Sequence, residues 1–84
     1  MKITFREKGA DRIKCHESAL PNGFYRGKVR GHNLRDTIFM RSGLNITFFN
    51  GDKPSSVYVV TDPNSGDMVD CYPVEVELVV YDKE

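Results

Sequence analysis

The sequence predicts an all-β fold, a small antiparallel barrel or a two-sheet sandwich of six to seven short strands. Three observations carry that prediction. Valine, isoleucine and threonine number 17 among 84 residues, against 6 for leucine plus alanine; β-branched side chains lose rotamer freedom on a helix and pack well on a pleated surface. Seven glycines and four prolines, with repeated Asn, Asp and Ser clusters, place turn chemistry at short intervals. Period-two alternation recurs along the chain, and no stretch sustains a 3.6-residue apolar period. Closure or sandwiching is expected because an open sheet leaves long edges free to pair with other chains.

Residues 2–7 alternate, with Ile3 and Phe5 on one side and Thr4 and Arg6 on the other. Lys8-Gly9-Ala10-Asp11 reads as a turn, and residues 12–16 as a second strand with Ile13 and Cys15 inward. Residues 17–23 form a loop, because Leu20-Pro21 disfavours helix and Asn22-Gly23 is a turn signal. A third strand follows over 24–31, broken at 32–35 by a single helical turn capped by Asn33.

Two hairpins come next. Residues 38–40 and 44–48 are expected to join through a three-residue loop, Arg41-Ser42-Gly43, pairing Met40 with Leu44 and Ile38 with Ile46. That register gathers Ile38, Met40, Leu44, Ile46 and Phe48 on one face and gives Gly43 the left-handed position of a G1 bulge. It leaves Thr37, Phe39, Arg41, Asn45, Thr47 and Phe49 on the outer face. Residues 57–61 and 68–72 read as the second hairpin, with Thr61 opposite Met68. Pro73 interrupts pairing there. Residues 74–82 form the last strand, with Val74, Val76, Leu78 and Val80 inward. Without repeats, low-complexity tracts or linkers, residues 1–84 read as a single all-β domain.

Twelve basic and twelve acidic side chains give zero formal charge. The opening Met1-Lys2-Ile3-Thr4-Phe5-Arg6-Glu7 lacks the apolar core of a signal peptide, and no apolar run is long enough for a membrane helix, so a cytoplasmic protein is expected. In that compartment Cys15 and Cys71 are expected to be reduced and buried. With His16 and His32 they make the inventory of a zinc site, but adjacent Cys15 and His16 point to opposite faces of a strand, and no C-x-x-C or H-x-x-x-H spacing occurs. Asp62, Asp67 and Asp70 resemble a fragment of a calcium loop that lacks its bidentate glutamate. Neither a metal nor another cofactor is expected, and no nucleophile has a base beside it in sequence, so no catalytic residue is assigned.

Zero total charge hides a split. Residues 1–50 carry ten Lys/Arg against four Asp/Glu, and residues 51–84 carry two against eight. Arg26, Lys28 and Arg30 project from one strand face at a spacing of about 6.6 Å, able to follow a phosphate backbone. The outer hairpin face offers Phe39, Arg41 and Phe49, the aromatic-plus-arginine chemistry of protein interfaces. Neutral charge favours the second surface. The expected function is therefore a non-enzymatic module of adaptor or inhibitor type that binds another protein, a profile shared with inhibitors that viruses make against host proteins. A homodimer through a strand edge is a further arrangement the sequence allows. Single-stranded nucleic-acid binding is the alternative, and a small enzyme with a spatially assembled site the second.

Overall fold

The protein is described by a computed structural model that covers residues 2–29, 32, 37–49, 53–62 and 64–80. Seven strands, β1 (Lys2–Glu7), β2 (Ile13–His16), β3 (Gly23–Val29), β4 (Thr37–Ser42), β5 (Asn45–Phe48), β6 (Ser55–Tyr58) and β7 (Met68–Val80), build one antiparallel sheet. Its order is β1-β7-β3-β4-β5-β6, with β2 also on β7. The all-β prediction holds, but the sheet is not closed: β1 and β6 end the path without pairing to each other. The helical turn expected at 32–35 and the end of the 74–82 strand lie outside the described residues, apart from His32 and residues 74–80.

The first strand matches its predicted bounds, and β2 and β3 each differ from theirs by one residue at the start; the predicted end of the third strand, residues 30–31, lies outside the described residues. The main departure is in how the later strands pair. β4 and β5 meet through a two-residue turn, pairing Ser42 with Asn45, Arg41 with Ile46 and Phe39 with Phe48. Gly43 has φ +57 and Leu44 does not have positive φ, the combination of a type II′ hairpin turn, whose twist matches the flanking strands. The expected three-residue loop is thus replaced by a register that brings Phe39 to the core side.

The second hairpin does not form either. β6 pairs with β5, and β7 pairs with β1, β2 and β3 instead. β7 is continuous from Met68 through Pro73 to Val80. β3 flanks one side of it over residues 69–74, while β2 and then β1 flank the other over 68–71 and 74–80. Pro73 falls in the gap between β2 and β1, where no ladder bond on that side needs its missing N–H. A shift of register between Thr4 and Phe5 leaves Glu77 unpaired as a bulge, which switches the facing of the residues beyond it. Leu78 and Val80, expected inside, are therefore 57% and 42% exposed, whereas Val74 is 1% exposed.

Directly paired residues share a face. Following the register, Val29, Val69, Cys71, Tyr25, Phe39, Phe48 and Ile46 line one side of the sheet, and all are buried. Leu20 and Val59, from the connections, complete this core. Two backbones approach closely at Gly27: a methyl group there would run into the Asp70 carbonyl and lie 2.6 Å from the Cys71 Cα. Only glycine fits at that crossing.

Both thiols are free, Cys71 buried and Cys15 half-buried. They are diagonal neighbours across β2 and β7, since Ile13 opposes Cys71 and Cys15 opposes Val69; diagonal Cα separations of about 7–8 Å exceed disulfide reach. Burial pushes the Cys71 thiol up from 9.0 to about 12, with smaller contributions from Cys15 and Asp70. Above pH 9 the unfolded chain releases this proton first, so the thiol's contribution to stability is complete below pH 9 and lost as pH rises toward 12. Denaturant melts across that range should show stability falling as pH rises, and Cys71→Ala should flatten that fall. An unchanged slope would contradict the burial.

No helix among the described residues is long and apolar enough to cross a membrane.

Candidate functional site

The three residues expected to form an interface do not share a surface. Phe39 is fully buried, stacked on Tyr25 at 5.7 Å between ring centroids and tilted against Phe48 at 5.9 Å. It is core, which removes it as a surface anchor. Arg41 follows it on the same side of β4, and its guanidinium turns to the backbone of the short 3-10 helix Glu17–Ala19. Nη1 donates to the carbonyls of Glu17 (3.0 Å), Ser18 (3.3 Å) and Leu20 (2.8 Å), and Nε donates to Gly43 O (2.7 Å). Arg41 thus clamps a helix end to a hairpin turn. Phe49 lies on the opposite face, where its N–H donates to Ile38 O and its ring packs 6.2 Å from Phe24.

On the basic strand face, Arg26 and Lys28 stand beside acids. Arg26 sits above the Phe5 ring, 5.8 Å from its centroid, with Nη1 3.9 Å from Glu7. Lys28 is directly opposite Asp70 on β7. Asp70 also receives Arg12 in a two-pronged pair, Nε to Oδ1 and Nη2 to Oδ2, and Arg12 covers Tyr72. Arg30 lies outside the described residues. Placing β7, with Asp70, Glu75 and Glu77, between the basic strands interleaves the charge split seen in sequence. The Arg6–Glu75 pair at 2.5 Å belongs to the same pattern and holds the Glu75 carboxyl below its ordinary range. What results is a mixed face rather than a positive stripe.

Two other features stand out. The first is the edge at β6, which among the described residues pairs only with β5. Val59 N donates to Leu44 O at 2.8 Å, and antiparallel alternation from that bond aims the N–H and C=O of Ser56 and Tyr58 away from β5. Tyr58 is 80% exposed and Leu44, at the adjoining turn, 58%. The second is an acid–histidine cluster. Glu17 is 1% exposed, the buried charged residue among the described residues. Its Oε1 accepts from Val60 N and its Oε2 from Asp67 N (2.8 Å), while Glu17 N donates to Asp67 O (2.9 Å). His32 Nε2 lies 3.1 Å from Asp67 Oδ2. One donor atom from each of Glu17, His32 and Asp67 falls within 4.8 Å of the others.

The loop that carries Asp67 is fixed by turn chemistry, as its composition suggests. Asp62 Oδ1 accepts from Asn64 N (2.9 Å), and Asp62 O accepts from Ser65 N (3.1 Å). His16 Nδ1 accepts from Ser18 N (3.1 Å), so its Nε2 carries the proton donated to Ser65 O at 2.6 Å. Gly66, at φ +86, lets that loop approach His16 and Val60, both 2.9 Å from where a Cβ would stand. The Glu17–His32–Asp67 cluster, by contrast, was not available from local spacing, because its residues belong to three separate segments. No family model, no curated protein and no solved structure matches the chain.

Proposed function

We propose that the chain is a non-enzymatic protein-binding module whose contact surface is the free edge of β6, where an extended segment of a partner adds as a further strand. The observation that supports this reading most is the contrast between the two ends of the sheet. β1, at one end, carries Lys2, Arg6 and Glu7 and is distorted by the register shift after Thr4, devices that discourage edge pairing. β6, at the other, is Ser-Ser-Val-Tyr, with neither charge nor proline within it. Its free amides supply main-chain hydrogen bonds, and Tyr58 and Leu44 supply apolar contact at the same rim. This moves the binding surface from the Phe39 face to the neighbouring edge.

Ser56→Pro tests the reading directly. It removes an N–H that points away from β5 and takes no bond from the β5–β6 ladder, so the fold should keep its stability to within about 1 kcal/mol. Peptides selected from a random displayed library on the wild-type protein should bind the variant at least about tenfold more weakly, a loss of roughly 1.4 kcal/mol. In the wild-type complex the Ser56 and Tyr58 amides should become protected from hydrogen exchange. Peptides that bind both proteins equally, or a selection that enriches none, would refute the edge. Sedimentation of free wild type as a dimer that Ser56→Pro dissociates would replace the partner strand with a second copy.

A further inference from the structure

The geometry points to a divalent transition-metal site, zinc by its donor set, formed by Glu17, His32 and Asp67 and independent of the β6 edge. One imidazole nitrogen and two carboxylate oxygens are a donor set that zinc accepts, at bond lengths of roughly 2.0–2.2 Å. Three ligands on one tetrahedral ion of that size stand about 3.3–3.6 Å apart. The three donor atoms already lie within 4.8 Å of one another, so closure needs side-chain adjustment rather than refolding. Calcium and magnesium, which favour six or more oxygens and avoid imidazole, fit the set poorly.

Preorganisation supports the same assignment. Glu17 and Asp67 are locked together by reciprocal bonds, Glu17 N to Asp67 O and Asp67 N to Glu17 Oε2. His32 is held by its own N–H on Val29 O at 3.0 Å and by its ring against Phe48, 6.0 Å between centroids. Each Glu17 oxygen accepts one backbone N–H and keeps a second lone pair.

Charge is the independent observation. A buried carboxylate is costly unless a positive group compensates it. Among the described residues the Glu17 oxygens are bonded by backbone amides, and Arg41 reaches the Glu17 carbonyl rather than its carboxylate. A dication bound between Glu17 and Asp67 neutralises both acids. His32 and Asp67 keep about a third of their side-chain surface accessible, which gives the ion a route in and leaves a coordination position for water. Such an ion cross-links three segments distant in sequence, the staple that a domain of this size gains most from.

Zinc chloride titrated into the full chain should show one site by calorimetry, and at a hundredfold excess over Kd should raise Tm by roughly 10 °C. His32→Ala and Asp67→Asn should each weaken binding at least about tenfold, whereas Cys15→Ala should leave it unchanged. X-ray absorption on wild type needs no variant, and its first shell should contain nitrogen and oxygen near 2.0–2.1 Å without sulfur near 2.3 Å. Sulfur in that shell, equal binding by the variants, or an absence of binding at roughly millimolar zinc would overturn the site.

Discussion

Phe39→Ala should cost about 3–5 kcal/mol and leave much of the protein unfolded at room temperature. Phe39 is fully excluded from solvent. Its neighbours, Tyr25 on β3 and Phe48 on β5, are fixed by ladders on both sides of β4, so the vacated volume has little freedom to collapse. A chain of 84 residues buries only a little over about 60% of its unfolded surface and has a thin margin to lose. Urea titration of the variant measures the effect, with Phe49→Ala as the contrast. Phe49 is only half-buried on the other face, against Phe24, and its truncation should cost less than half as much. The reverse order of effects would mean that the β4–β5 register is shifted by one residue.

That register marks where local pattern stopped being informative. β1 was legible because its alternation is uninterrupted, and the strand content was legible because β-branched residues dominate. At the β4–β5 turn, the residues 38–48 offer apolar side chains at both parities, so hydrophobic alternation fits more than one pairing. The rule of gathering the most apolar residues on one face selected Ile38 and Met40 over Phe39. In the protein both faces of β4 are apolar: Ile38 is 8% exposed on one and Phe39 fully buried on the other. Binary pattern cannot rank two such faces; long-range pairing with Tyr25 decides between them.

Non-local pairing also explains the missed hairpin and the missed cluster. Residues 57–61 and 68–72 are close in sequence and complementary in pattern, yet β7 is taken by β3 on one side and by β2 and β1 on the other, leaving β6 only β5. Pro73 read as a break because a lone strand with proline loses a ladder bond; two short strands sharing one side of β7 provide a gap where nothing is lost on that side. Cancellation of the basic and acidic halves follows from the same arrangement, since β7 contributes Asp70 and Glu75 to Arg12 and Arg6. Glu17, His32 and Asp67 carry no spacing signature. Only the 3-10 helix at the end of β2, the residue following β3 by three positions, and the start of β7 bring them together.

Glu17→Ala should destabilise the domain by about 2–5 kcal/mol, and the loss should be concentrated around the connection between β6 and β7. The carboxylate is the acceptor for Val60 N and Asp67 N, which lie at the two ends of that connection. Removing it strands two amide donors, each at about 1–3 kcal/mol when water cannot reach it, and vacates the volume of a fully buried side chain. Glu17→Gln keeps the volume but turns one acceptor into a donor facing an N–H, so it should lie between alanine and wild type. Native-state hydrogen exchange supplies the reading that distinguishes a local anchor from general damage. The Val60 and Asp67 amides should lose protection in both variants, while the β3–β4 ladder, held by Tyr25 and Phe39, keeps its protection wherever the variant remains folded. Protection at Val60 and Asp67 equal to wild type, with a stability change below about 0.5 kcal/mol, would mean that these amides do not depend on the buried carboxylate, and the connection that presents Asp67 to His32 would then be held by its own turn bonds at Asp62.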